Sequence, residues 1–121
     1  MSDALAALRK VALTFPGAFE DTPWEGDVVT KVGKKIFVFY GSAEDPAISV
    51  KLPDSAEMAR SVVPGATPTG YGLGRYGWVT IPFDRGGKGG PEAELLEEWI
   101  EESYRAVATK RMVAELDARA R

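Results

Sequence analysis

Two short segments of the chain alternate apolar and polar side chains, and this pattern limits the folds that the chain can adopt. They are AISVKL, residues 47–52, and WVTIPF, residues 78–83. Side chains two residues apart share one face of a strand. The apolar faces consist of Ile48, Val50 and Leu52 in the first segment and of Val79, Ile81 and Phe83 in the second. The pattern predicts strands of a mainly antiparallel sheet that buries one of its faces.

The N-terminal part of the chain predicts one helix and one hairpin. Apolar residues recur at helical spacing over Asp3–Thr14, and a Pro-Gly pair follows them. The segments VVTKV (28–32) and KIFVFY (35–40) flank a tight turn at Gly33 and are typical of a β-hairpin. The acidic segment between them, which contains Pro23 and Gly26, is interpreted as a connection.

The C-terminal part predicts two further helices. A short one begins near Asp54, and a long one covers most of residues 92–117, with an apolar stripe of Leu96, Ile100, Tyr104 and Val107. Tyr104 is predicted to be a core residue whose hydroxyl finds a hydrogen-bond partner. The resulting order, α-β-β-β-α-β-α, predicts an α+β fold with helices on one face of the sheet, as a single domain over residues 1–121.

Composition excludes several kinds of chemistry. The chain has no cysteine and no histidine, which removes disulfides, thiolate nucleophiles, imidazole catalysis and nearly all zinc, copper and haem sites. The longest apolar run, Ile36–Tyr40, is too short to cross a bilayer. We therefore expect a cytoplasmic protein with no membrane partner and no cofactor.

Charge is distributed unevenly along the chain. Residues 1–27 carry two basic and five acidic side chains, residues 28–90 carry eight and five, and residues 91–121 carry five and eight. The formal net charge is −3. Basic charge is thus concentrated in the middle, where the strands are predicted.

Two glycine-rich stretches resemble nucleotide-binding motifs. GLGRYG (72–77) has dinucleotide-fingerprint spacing, but it follows a Pro- and Gly-rich segment and precedes a strand. A dinucleotide site requires a strand before the glycines and a helix after them. GGKGG (86–90) lacks the Ser or Thr that follows the P-loop lysine. Both stretches are interpreted as loops without a phosphate role.

The acidic segment at 20–27 offers a different hypothesis. It contains Glu20, Asp21, Glu25 and Asp27, and several carboxylates close together can bind Mg²⁺ or Ca²⁺. The segment lacks the regular alternation of a calcium loop and has no partner nucleophile. A small-ligand or metal-dependent activity here remains a third possibility.

The sheet face that points away from the core is the leading candidate site. If Val50 and Val79 are buried, Lys51 and Trp78 must lie on the opposite face. A tryptophan beside lysines can stack a base while the ammonium groups contact phosphates. The alternative is that a loop or the last helix covers Trp78 and that the lysines only maintain solubility.

Several stretches together resemble the MmcQ/YjbR family of small bacterial proteins. They are FPGAFEDTPWEGDVVTKVGKKIFVFY, ISVKLP, YGWVTIPFD and LLEEWIEESYRAVATK, in this order. The resemblance implies a fold of the CyaY-like, secretion-chaperone-related type and a DNA-binding role. Family members often have histidine directly before the tryptophan, whereas this chain has Gly77 there.

The sequence therefore predicts a non-enzymatic domain that binds DNA weakly and without sequence specificity. No catalytic residue and no metal ligand is assigned. The first alternative is a protein- or peptide-binding module, which includes a homodimer. The predicted DNA-binding residues are Lys31, Lys34, Lys35, Lys51, Arg75 and Trp78.

Overall fold

A computed structural model describes residues 3–24, 27–40, 47–63, 65–70, 72–82 and 93–119 of the chain. Its helices are α1 (Asp3–Leu13), α2 (Ala56–Val62), α3 (Ala93–Val107) and α4 (Lys110–Arg119). Its strands are β1 (Ala18–Trp24), β2 (Asp27–Val32), β3 (Lys35–Tyr40), β4 (Ala47–Lys51), β5 (Thr67–Pro68) and β6 (Trp78–Pro82). A 3₁₀ turn, Leu73–Tyr76, precedes β6.

The strands form one antiparallel sheet in the order β1-β2-β3-β4-β6-β5. All four helices pack against a single apolar cluster on one face of this sheet. The α+β class, the antiparallel sheet and the one-sided helix layer are therefore confirmed. The cluster contains the predicted inward residues Ile48, Val50, Leu52, Val79 and Ile81, all at most 1% exposed.

A β-bulge in β3 brings an extra aromatic ring into the core. Thr30 pairs with Val38 and Lys31 with Ile36, so Phe37 has no partner residue on β2. A bulge lets two successive side chains turn toward the same face, and Phe37 and Val38 are both fully buried.

The interpretation of the acidic segment before β2 as a connection is wrong, because residues 18–24 form the edge strand β1. The strand was not recognised in the sequence because Glu20, Asp21 and Pro23 have low strand propensity. Its carboxylates are held by partners on other elements. Arg9 of α1 donates two hydrogen bonds of 2.9 Å to Glu20, and Lys31 of β2 lies 3.2 Å from Asp21.

The single long helix predicted for residues 92–117 is also wrong, since α3 ends at Val107 and α4 begins at Lys110. Thr109 between them accepts a hydrogen bond from the Met112 amide on its side-chain oxygen, at 3.2 Å. Such a threonine caps a new helix start. Arg105 of α3 connects the two helices through an ion pair with Asp117 of α4, and it also pairs with Glu101 of its own helix.

The start of α2 is capped from another helix. Ser55 precedes α2 but makes no side-chain cap of its own. Instead, the Glu102 carboxylate of α3 accepts hydrogen bonds from the Asp54 and Ser55 amides and from the Ser55 hydroxyl, at 2.7 to 3.1 Å.

Two predictions concern residues outside the described ranges. They are the inward position of Phe83 and the loop at GGKGG (86–90).

Candidate nucleic-acid interface

The face of the sheet opposite the helices is called the outward face, and Phe19, Lys31, Phe39, Ser49, Lys51, Trp78 and Thr80 lie on it. The strand register places these residues there. Lys51 pairs with Trp78 and Ser49 pairs with Thr80, and the inward-facing Val50–Val79 pair lies between these two pairs. The predicted neighbourhood of Lys51 and Trp78 is thus present.

Trp78 is less accessible than a stacking residue should be. Its residue exposure is 7%, and its ring centroid lies 5.4 Å from that of Phe39 at an interplanar angle of 68°. Such an edge-to-face contact is typical of a packed aromatic pair. A base cannot lie flat on Trp78 unless the side chain moves, so the alternative of a covered Trp78 fits this ring better.

The predicted basic residues come together at one end of the sheet. The β2–β3 turn with Lys34, the C-terminal end of β4 with Lys51 and the 3₁₀ turn with Arg75 all lie there, because β3 and β6 begin at the end where β2 and β4 finish. Lys34 and Arg75 are exposed. The antiparallel order therefore gathers cations that are far apart in the sequence.

The lysines differ in their surroundings. Lys31 is ion-paired with Asp21 and also lies 5.9 Å from the centroid of the Phe19 ring. Lys51 is partly exposed on the outward face. Lys35 pairs with Val32, a core residue, so the register places Lys35 at the rim on the helix side. Lys31 and Lys51 are thus the lysines of the outward face.

Ser103 of α3 holds the basic end of the sheet together. Its hydroxyl donates to the Phe37 carbonyl at 2.5 Å and accepts from the Lys51 amide at 2.8 Å. The β3–β4 ladder ends at the Val38–Val50 pair, so Ser103 bridges the next backbone groups along these strands. The helix layer therefore positions the backbone that carries Lys51.

The glycine motif has a structural explanation. Gly72 and Gly77 have φ values of 79° and 91°, and they flank the 3₁₀ turn that leads directly into β6. No α-helix follows the glycines, as a dinucleotide site would require. A Cβ atom at Gly77 would lie 3.1 Å from the Leu52 carbonyl oxygen. A residue with a side chain, such as the histidine that the resemblance implies here, is therefore disfavoured at this position in the present backbone.

The acidic hypothesis gains little from the geometry. Glu20 pairs with Arg9 and Asp21 with Lys31, and successive residues of a strand point to opposite faces. Glu25 and the Asp27 side chain lie outside the described parts of the chain. Within the described ranges, no group of three or more acidic residues is arranged to hold a metal ion.

A second set of carboxylates borders a cleft of about 510 Å³ between α3 and the β4–α2 connection. Glu102 caps α2, and Glu101 pairs with Arg105. These interactions explain both carboxylates without a ligand.

Tyr40 is buried on the helix side of the sheet, near Arg9 of α1. The Tyr40 hydroxyl is 2.7 Å from the Thr30 hydroxyl, and the Arg9 guanidinium is 5.5 Å from the ring centroid. Burial raises the pKa of Tyr40 to about 12, although the Thr30 hydrogen bond opposes the shift. Tyr40 is thus neutral at pH 7 and serves as a structural hydrogen-bonding group.

We expect the Tyr40 phenol to ionise near pH 12 in the folded protein. Because the unfolded chain loses this proton near pH 10, the stability from Tyr40 is intact below about pH 10 and is lost as the pH rises toward 12. In an ultraviolet titration, the wild type should show a tyrosine ionisation near pH 12 that Tyr40→Phe lacks, while circular dichroism reports the folded state. If Tyr40→Phe instead lacked an ionisation near pH 10, the result would contradict the burial of this hydroxyl.

A comparison with models of protein families identifies the family of the chain. Residues 13–106 match the YjbR family model. The chain belongs to the YjbR family. The YjbR match begins at the last residue of α1 and ends before α4, so it contains the whole sheet and most of α3. The resemblance predicted from the sequence is confirmed. A comparison with curated proteins gave no match.

In the described part of the YjbR domain, every helix is too short or too polar to span a bilayer.

Sequence reasoning missed Phe19, which the β1–β2 register places opposite Lys31 on the outward face. The alternation of Ala18 and Glu20 with Phe19 and Asp21 was the available signal.

Proposed function

We propose that this domain is a non-enzymatic DNA-binding module that uses its outward face and the basic end of the sheet. The observation that supports the proposal is the convergence of cations there. Two lysines lie on the outward face, and Lys34, Lys35 and Arg75 lie around its basic end. Among the described residues near these cations, Asp21 offsets part of their charge because its carboxylate forms an ion pair with Lys31.

The same features indicate weak binding without sequence specificity. Lysine ammonium groups act as point charges on phosphates and do not read base edges. The net charge of −3 opposes the approach of a polyanion. Three or four phosphate contacts would give a slope of about −3 for the logarithm of affinity against that of salt concentration.

Lys51→Glu is expected to weaken DNA binding more than Lys110→Glu. Both variants change the net charge equally, but Lys51 lies on the outward face and Lys110 begins α4 in the helix layer. Loss of one phosphate contact should flatten the salt slope by about one unit. Fluorescence anisotropy with labelled duplex and single-stranded oligonucleotides, from low to physiological salt, measures both quantities.

Thermal unfolding of each variant provides the control for folding. Equal effects of Lys51→Glu and Lys110→Glu would mean that only overall charge matters and would contradict a site on the outward face. Absence of binding by folded wild-type protein at low salt would refute the DNA proposal.

Protein or peptide binding is a second candidate, and the position of β1 favours it. This seven-residue strand pairs with β2 and lies at the edge of the sheet. An edge strand has backbone groups that an added strand can bind, from a peptide or from a second copy of the chain. Concentration-dependent association without oligonucleotide binding, measured by analytical ultracentrifugation, would favour this candidate.

A further inference from the structure

Among the aromatic side chains that the structure describes on the outward face, that of Phe19 is the most accessible. Its residue exposure is 44%, against 7% for Trp78 on the same face. The β1–β2 register pairs Phe19 with Lys31, while Ala18 beside it packs toward the core. The ring is therefore held on the same surface as the two lysines.

The surroundings of Phe19 distinguish it from an ordinary exposed apolar residue. The Lys31 ammonium nitrogen lies 5.9 Å from the ring centroid, within the range of a cation–π contact. The same nitrogen lies 3.2 Å from the Asp21 carboxylate. An accessible ring, a cation and a competing anion thus occupy one small surface. An aromatic ring beside a cation suits a nucleotide, which presents a flat base next to a phosphate.

We propose that Phe19 is the residue on which an unpaired base of single-stranded nucleic acid stacks, with Lys31 bound to the adjacent phosphate. This inference rests on the proposed function, and it assigns the stacking role to Phe19 in place of Trp78. The bases of a duplex already stack on one another, so a ring on a sheet surface is accessible chiefly to unpaired bases.

Asp21 limits the affinity of this subsite. Its carboxylate occupies the ammonium group that a phosphate would bind, and its side chain is 41% exposed. A phosphate must therefore replace an existing ion pair, and the net gain is small. Asp21→Asn removes this competitor and is expected to raise single-strand affinity about two- to fivefold, as the strength of an exposed ion pair allows.

Phe19→Ala is expected to lower affinity for single-stranded oligothymidylate about 5- to 150-fold, the range for loss of one stacking contact. Affinity for a duplex of equal length should stay within about twofold, and the salt slope should not change because no phosphate contact is lost. Fluorescence anisotropy at several salt concentrations gives all three values. Met58→Ala is the matched control, since Met58 is 48% exposed but lies on α2 in the helix layer.

Thermal unfolding shows whether each variant is folded, and Phe19→Trp provides a second test because it keeps a ring at this position. Phe19→Trp should retain single-strand affinity. Unchanged single-strand affinity in folded Phe19→Ala, with wild-type binding present, would overturn this inference and leave the proposed function intact.

Other outcomes separate the two proposals further. Equal losses for single strands and duplex in Phe19→Ala, with a flatter salt slope, would overturn the stacking role. Wild-type protein that binds neither oligonucleotide refutes the proposed function itself. If such protein forms a dimer that Phe19→Ala dissociates, Phe19 belongs to a protein interface, and the inference is overturned.

Discussion

Tyr104→Ala is expected to lower the free energy of unfolding by about 3–5 kcal/mol. Tyr104 is fully buried, and its ring centroid lies 5.0 Å from that of Phe15 and 5.2 Å from that of Phe37. Alanine would leave a cavity at the contact between α3, the sheet and the end of α1. Phenylalanine keeps the ring and loses only the 2.6 Å hydrogen bond to the Pro16 carbonyl, at a cost of about 1 kcal/mol.

Urea unfolding followed by circular dichroism measures both losses. Tyr76 is the matched control, because it is 62% exposed in the 3₁₀ turn. Tyr76→Ala should change the free energy of unfolding by no more than about 0.5 kcal/mol. Small and equal losses for Tyr104→Ala and Tyr104→Phe would show that Tyr104 is exposed in solution and would reopen a functional role for it.

The predictable parts of the fold are those in which side-chain pattern and burial agree. The strands β4 and β6 could be predicted because inward and outward residues alternate along each of them. Tyr104 could be placed in the core because it continues the apolar stripe of α3. Its partner, the Pro16 carbonyl, could not be inferred, since 88 residues separate the two groups.

The missed elements depend on contacts between distant segments. β1 is stabilised by its register with β2 and by ion pairs from Arg9 and Lys31, and none of these is visible within residues 18–24. The break after α3 was missed because Thr109 caps the start of α4, whereas the charge pattern continues through both helices without an interruption.

The candidate site was predictable to the level of the sheet face. Alternation placed Lys51 and Trp78 side by side, and their register agrees. It could not show that the Trp78 ring contacts Phe39 on β3, because alternation determines the face of a side chain and not the direction in which it leans. Phe19 is therefore the more accessible of these two rings, and it lies on β1, a strand that the sequence pattern did not predict.

The helix layer and the outward face are connected through Ser103. Its hydroxyl replaces a ladder hydrogen bond where β3 bulges at Phe37 and β4 ends at Lys51. A serine oxygen can donate and accept at the same time, so one side chain pairs a carbonyl with an amide that would otherwise have no partner. The backbone position of Lys51 thus depends on a buried group of α3.

Ser103→Ala is expected to lower the free energy of unfolding by about 2–3 kcal/mol, because it leaves the Phe37 carbonyl and the Lys51 amide without their partner. Amide hydrogen exchange should accelerate at Lys51 more than at Val50, which has paired residues on both sides of it in the β4–β6 ladder. Ser61→Ala is the control, since the Ser61 hydroxyl bonds the Glu57 carbonyl on the exposed side of α2. That variant should change stability by no more than about 0.5 kcal/mol. Unchanged Lys51 exchange in Ser103→Ala would show that α3 does not hold the end of β4, and Lys51 would then be positioned by the sheet alone.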